Sequence, residues 1–265
     1  NPFWFQLYVM KDKEFIAQLL ARAQDAGCNV LQITMDLNII GQRHADVRNG
    51  LSAPPRLTLS HIKQVLSRPT WALGMLRAKR HVFGNVIGHA KGVTDNASLW
   101  SWVAEQFDAS FSWKDLDWIR NQWKGKIILK GILDPEDALR ASKLGYDGIV
   151  VSNHGGRQLD GAPSTISVLP YIIEKVGNEM EVYMDGGVRS GQDICKALCL
   201  GAQGVLIGRP FLYGLGAYGK KGVTRCLEIM RDSLDETLGL LGETDVCDLG
   251  RNNIYYKNYK EFFLE

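Results

Sequence analysis

Six short apolar runs recur along the chain: WFQLYV at 4–9, VLQITMD at 30–36, KIILKGI at 126–132, GIVVSN at 148–153, EVYMDGG at 181–187 and GVLIGR at 204–209. Each has strand length and is rich in β-branched or aromatic residues, and most lack the alternation of a strand with one face in water. Such runs suit parallel strands covered by helices on both faces. The intervening segments supply the helices. Phe15, Ile16, Leu19, Leu20 and Ala23 repeat at helical spacing, Asp134–Pro135 and Ser190 have the chemistry of helix starts, and Gly27, Gly145 and Gly201 fall where a left-handed residue ends one. Strand, loop, helix, glycine, strand is a repeating βα unit.

The placement of polar residues separates a barrel from an open sheet. Lys130, Ser152, His154, Asp185 and Arg209 lie at or just past the C-terminal ends of successive runs. That rim is where a TIM (βα)8 barrel gathers its chemistry, so the expected fold is an α/β barrel forming one domain over 1–265. DGGVRSG at 185–191 and IGRP at 207–210 combine free backbone N–H groups, a helix start and an arginine each, which suits a phosphate. Barrel phosphate sites follow strands seven and eight. Counting back, the six runs are strands three to eight, and strands one and two are missing from this chain. Residues 50–112, between strands four and five, are long for a βα connection and are read as an insert.

Composition narrows the rest. With 265 residues, 45% of them hydrophobic, the chain can bury a full core, and a formal net charge of +2 gives no reason to expect a nucleic-acid partner. Cys28, Cys195, Cys199, Cys226 and Cys247 are odd in number and lack CxxC spacing, which argues against a disulfide framework or a zinc site and for a reducing compartment. No run approaches the length of a spanning helix, and the first fifteen residues carry charge too early for a signal peptide. A cytoplasmic location is expected.

SNHGGRQLDG at 152–161, with FQLYV, LKGILDPEDA, DGGVRSGQDI and LIGRPFLYGLG in order, closely resembles the FMN-dependent α-hydroxy-acid dehydrogenases and oxidases, a family that includes L-lactate dehydrogenase, glycolate oxidase and mandelate dehydrogenase. The resemblance runs from about Trp4 to about Gly242. It implies an enzyme that binds FMN and oxidises an L-2-hydroxy acid, lactate first among the candidates. His154 would be the base that removes a proton from the substrate, a role suited to imidazole. Asp36 would orient that histidine and stabilise its imidazolium form. Arg157 and Arg43 would grip the substrate carboxylate with parallel hydrogen bonds, and Tyr8 would add a hydrogen bond. Lys130 would offset the negative charge that gathers on a reduced flavin. Gln6, Thr34 and Ser152 match positions that hydrogen-bond the flavin ring or ribityl chain. Asp185, Gly186, Gly187, Arg189, Gly208 and Arg209 match those holding ribityl and phosphate. The plainer readings are a core histidine, a helix-capping Asp36, surface arginines, a core tyrosine and ordinary glycine turns.

The family's first two strands bring a flavin-packing segment and a second substrate tyrosine, and neither has a counterpart here. The insert holds WALGMLRAKRHVFGNVIGH, in which Arg77, Lys79, Arg80 and His81 interrupt apolar residues. One reading is a helix covering the barrel; the other is docking on an anionic membrane through 70–90, as in relatives that reduce quinone. FSWKDLDWIRNQW at 111–123 resembles the lactate and mandelate dehydrogenases more than the soluble oxidases. The expected acceptor is a membrane quinone, in a homo-oligomer peripheral to the inner face of the cell membrane. The alternatives are a soluble oxidase that uses oxygen and a non-catalytic phosphate-binding barrel fragment.

Overall fold

The computed structural model describes residues 3–39, 41, 44, 48–49, 58–78 and 83–255. Arg43, Lys79, Arg80 and His81 lie outside the described residues. The chain divides into two compact units, Asn1–Lys130 with Arg157–Asp160, and Gly131–Gly156 with Gly161–Glu265.

In the first unit, β1 (Trp4–Tyr8), β2 (Val30–Thr34) and the start of β3 (Lys126–Ile132) pair in parallel. Both faces of β2 are covered: Leu31 and Ile33 on one side and Gln32 and Thr34 on the other are all buried. Helix α1 (Lys13–Asp25) returns the chain between β1 and β2. Asp12 caps it by accepting the Phe15 N–H at 2.9 Å, and Phe15, Ile16, Leu19, Leu20 and Ala23 form its buried stripe, as their spacing predicts. Burial of each of the four larger side chains contributes about 1.5–3 kcal/mol. Gly27 (φ 82°) ends the helix, and the Cys28 N–H reaches back to the Ala23 carbonyl. The insert carries α2 (Leu59–Leu66) and α3 (Pro69–Arg77), neither of which buries a side chain. They are followed by α4 (Asn96–Gln106), whose Trp102 meets Phe15 edge-on with ring centroids 5.1 Å apart, and by α5 (Leu116–Gln122).

In the second unit, β4 (Gly148–Val151), β5 (Glu181–Met184) and β6 (Gly204–Val205) also pair in parallel. The strand read at 204–209 is only two residues long, although the Leu206 N–H still donates to the Met184 carbonyl. Helices α6 (Pro135–Lys143), α7 (Thr165–Val176), α8 (Gly191–Cys199) and α9 (Arg209–Leu241) follow β3, β4, β5 and β6 in turn. Gly145 (φ 73°) and Gly201 (φ 102°) repeat the closure seen at Gly27, with the Tyr146 and Ala202 N–H groups bonded to Ala141 and Ala197. Helix α9 breaks at Tyr218 and Gly219. The six strands form a single sheet in chain order, the βα progression of a TIM-type barrel over six of its strands.

Two weak acids, buried Cys199 and half-buried Tyr183, make the second unit sensitive to alkali. Burial, helped by Cys195 at 3.9 Å, pushes the Cys199 thiol up to about 11, and burial with the hydrogen bond to Glu181 pushes the Tyr183 phenol up to about 12. Both sit above their ordinary values of 9.0 and 10.0, so the unfolded chain releases these protons first as pH rises. Stability should therefore be intact below pH 9 and decline as pH climbs through 11, and Cys199→Ala should flatten the decline. Urea denaturation across this range tests it; an unchanged slope in the variant would count against the thiol.

Candidate functional site

In the first unit the strand register sets Tyr8, Thr34 and Lys130 in one transverse row, at the C-terminal ends of β1 and β2 and two residues before the end of β3. Gln6, on the same face as Tyr8, donates from Nε2 to Thr34 Oγ1 at 3.0 Å. Lys130 is only 6% exposed, on a strand whose other residues are mostly aliphatic. Keeping an ammonium there demands compensating charge or dipoles. The Met35 N–H donates to the Lys130 carbonyl at 2.8 Å, carrying the pairing one residue past β2. Half-buried Asp36 follows in a bend.

Beyond Asp36 the loop borders a cleft of about 300 Å³ lined by Met35, Asp36, Asn38, Ile39, Gly41, Gln158 and Leu159. Two contacts tie this loop to the segment bearing exposed Arg157. Gln158 Nε2 donates to the Ile39 carbonyl at 2.8 Å. At Gly41 a Cβ would stand 2.7 Å from the carbonyl oxygens of both Arg157 and Gln158, so the two backbones lie in direct contact. Arg43, the second expected carboxylate ligand, lies outside the described residues.

In the second unit, the Asp185 N–H donates to the Val151 carbonyl at 3.0 Å, which fixes the end of β5 against that of β4. Ser152 is fully buried, and its Oγ accepts the His154 N–H at 3.1 Å. His154 has φ 55°, the one positive value for a non-glycine among the described residues, and Gly155 and Gly156 follow at 66° and 73°. A non-glycine residue in this region is strained, and strain persists where the surroundings enforce it.

The two glycine-rich ends differ in what they offer an anion. At α8, the Asp193 carboxylate accepts the N–H groups of Arg189 and Ser190, and Ser190 Oγ caps the Asp193 N–H. Ser233 of α9 accepts the Gly191 N–H at 3.2 Å, so that terminus is largely satisfied by protein side chains. At α9, the N-cap is Gly208, Pro210 stands in the first turn, and no side chain caps the N–H groups or places an acid there. A Cβ on Gly208 or on Gly187 (φ 79°) would meet nothing within 4 Å. Arg209 donates from Nη2 to the Gly155 carbonyl at 2.5 Å, which puts its guanidinium beside the His154 turn. Open glycines, an uncapped helix start and arginines at both ends fit the phosphate of FMN. Both ends look alike in sequence, yet capping leaves only α9 a vacant helix terminus.

Sequence reasoning passed over Asn153, Gly41 and Gln158. An asparagine before two glycines signals a turn held by its side chain, and that signal was legible. Gly41 and Gln158 act through a contact between segments more than a hundred residues apart, for which no local pattern exists.

The FMN-dependent dehydrogenase family matches residues 1–256. An L-lactate dehydrogenase of Caulobacter sp. (strain K31) is 45% identical over 255 residues, which are 95% of this chain and 66% of that protein. The chain thus spans just under two thirds of that relative's length. Among solved structures, a monotopic membrane protein, (S)-mandelate dehydrogenase, superposes with a TM-score of 0.89 at 35% identity, covering 96% of this chain and 67% of the other. A mandelate oxidase superposes at 0.71, also with 35% identity, over 92% of this chain and 61% of the other.

Gly41→Ala should force the 35–41 loop off the 157–158 backbone, at a cost of about 1–3 kcal/mol from overpacking. Hydrogen exchange should quicken at residues 35–41 and not in β4–β6. Gly74→Ala, at an open position in α3, is the control and should be neutral or stabilising. Equal behaviour of the two variants would remove the contact at Gly41.

Proposed function

The chain belongs to the FMN-dependent dehydrogenase family, and from that premise we propose that it acts in the oxidation of an L-2-hydroxy acid, L-lactate foremost, to the 2-oxo acid. The observation that carries the reading is the His154 turn, an imidazole at a strand end on a strained backbone with Arg209 bonded to the next residue. The donor set would hold FMN with Gln6, Thr34, Lys130 and Ser152 toward the ring and ribityl chain. Asp185, Gly186, Gly187, Arg189, Gly208 and Arg209 would serve the ribityl and phosphate end. When bound, FMN supplies the acceptor for the two electrons that leave the substrate.

The chain's own groups do the rest. Arg157, with Arg43, takes the substrate carboxylate through paired N–H donors, which fixes the hydroxyl-bearing carbon, and Tyr8 donates a further hydrogen bond. His154 accepts a proton from the substrate as the electrons depart, and Asp36 offsets the positive charge the imidazole gains. Lys130 supplies a buried positive charge where negative charge accumulates.

The proposed electron acceptor is a membrane quinone, reached by peripheral docking of a homo-oligomer on the inner face of the cell membrane. Exposed Leu59, Leu66, Trp71, Leu73 and Leu76 on α2 and α3, with Arg77 at the end of α3, support this, as does the monotopic nature of the mandelate dehydrogenase. Among the described residues no helix is long and apolar enough to cross a membrane. The likeness to a mandelate oxidase favours a second reading, in which oxygen takes the electrons and hydrogen peroxide forms.

Two experiments test these proposals. The protein should be yellow and bleach anaerobically with L-lactate, whereas His154→Gln should stay yellow and turn over slower by about 10²–10⁴-fold. A colourless protein would favour a phosphate-binding fragment, and normal turnover in the yellow variant would remove His154 as base. The protein should also sediment with anionic vesicles at low salt and be released by added salt, since each cation near the surface contributes about 1 kcal/mol. Indifference to vesicles together with rapid peroxide formation would favour the oxidase.

A further inference from the structure

The turn that carries His154 is held from outside itself, and we propose that Asn153 is the positioning residue that holds it. The proposal rests on the reading of His154 as the base. Three consecutive residues, His154, Gly155 and Gly156, have left-handed backbone, and only the glycines adopt it without strain. His154 therefore stays there only if its neighbours are fixed. Its own N–H is taken by Ser152 Oγ, and the Gly156 N–H returns to the Asn153 carbonyl at 2.9 Å. Gly155 is held at both ends: its N–H donates to Asn153 Oδ1 at 3.0 Å and its carbonyl accepts from Arg209.

The other end of the Asn153 side chain is committed elsewhere. Nδ2 donates to the Pro163 carbonyl at 3.1 Å, so a single carboxamide joins the His154 turn to the loop that leads into α7. The two partners dictate the residue type. Gly155 presents its N–H, a donor, and Pro163 its carbonyl, an acceptor, so one side chain must accept at one atom and donate at another. A carboxylate cannot donate to Pro163, and a serine is too short to span both. The carboxamide is also packed on its flank, because a Cβ on Gly186 would stand 2.9 Å from Asn153 Oδ1. Buried Thr165 holds Gly186 there by donating from Oγ1 to its carbonyl at 3.3 Å. Asn153 acts through the backbone of Gly155, to which its side chain is bonded, and so through the turn that carries His154.

The test compares the full-length, FMN-loaded protein with Asn153→Ala and Asn153→Asp, alone and combined with His154→Gln. In Asn153→Ala, kcat for L-lactate should fall about 10- to 100-fold, the loss expected for a misplaced catalytic group. KM should stay within about threefold and flavin content should not change, because Asn153 itself is assigned to neither the carboxylate nor the phosphate. Hydrogen exchange at the Gly155 amide, a readout independent of turnover, should be at least about tenfold faster. Asn153→Asp keeps the acceptor and loses the donor, so it should fall between; if the alanine variant does not accumulate, it carries the same comparison. Added to His154→Gln, Asn153→Ala should cost no further turnover, since the group it positions is gone. Unchanged kcat in Asn153→Ala, or an equal loss in both backgrounds, overturns the proposal while leaving His154 as base. Full turnover in His154→Gln alone overturns the base and this proposal with it.

Discussion

Parallel strands buried on both faces can show polar chemistry only where they stop, and the rest of this molecule follows from that constraint. Along β2 the residues of both faces are inside, and the ladder to β1 and β3 satisfies the backbone. A charged or hydrogen-bonding side chain meant for a ligand is then best placed near the end of a strand or just past it. Asp36, Ser152, Asp185 and Gly208 stand just past strand ends, and Lys130 stands two residues before the end of β3. The precision of such a site is borrowed from strand register: Tyr8, Thr34 and Lys130 form a row because their backbones pair, not because their side chains seek one another.

Where register ends, other devices take over, and they differ between the two units. In the first, Gly41 is pressed against the 157–158 backbone with no room for a Cβ. In the second, the backbone after β4 turns left-handed at a histidine and is fixed by hydrogen bonds that Ser152 and Asn153 accept and Arg209 donates. Strain at one residue is sustained by several modest bonds around it, as expected where a side chain must be aimed rather than merely buried.

That difference explains what could be read from the sequence. The strands, the α1 stripe and the closures at Gly27, Gly145 and Gly201 are written in local patterns, because period and cap chemistry act over a few residues. The same holds for the candidate site, since strand ends and glycine-rich turns are local too. The choice between the two glycine-rich ends was not legible: DGGVRSG and IGRP look equivalent until Asp193 is seen to satisfy the first helix start and nothing caps the second. Gly41 was equally opaque, because the backbone it must not touch is more than a hundred residues away. Arg43 and the basic run Lys79–Arg80–His81 fall outside the described residues, so the role of Arg43 is read from the resemblance and that of the basic run from its mixture with apolar residues and the resemblance.

The insert shows the same constraint in reverse. Helices α2 and α3 are apolar enough to belong to a core, yet they bury none of their side chains, and Leu59, Leu66 and Leu76 are each more than 70% exposed. Full burial of such a leucine is worth about 1.5–3 kcal/mol, so leaving several in water forfeits stability that polar residues would not have forfeited. Thr58, Ser60, Lys63, Gln64 and Arg68 show that the segment also carries polar side chains. The docking proposed for this segment draws on those exposed leucines and on Arg77 beside them, whereas α1 turns its own apolar stripe of Phe15, Ile16, Leu19 and Leu20 into the first unit.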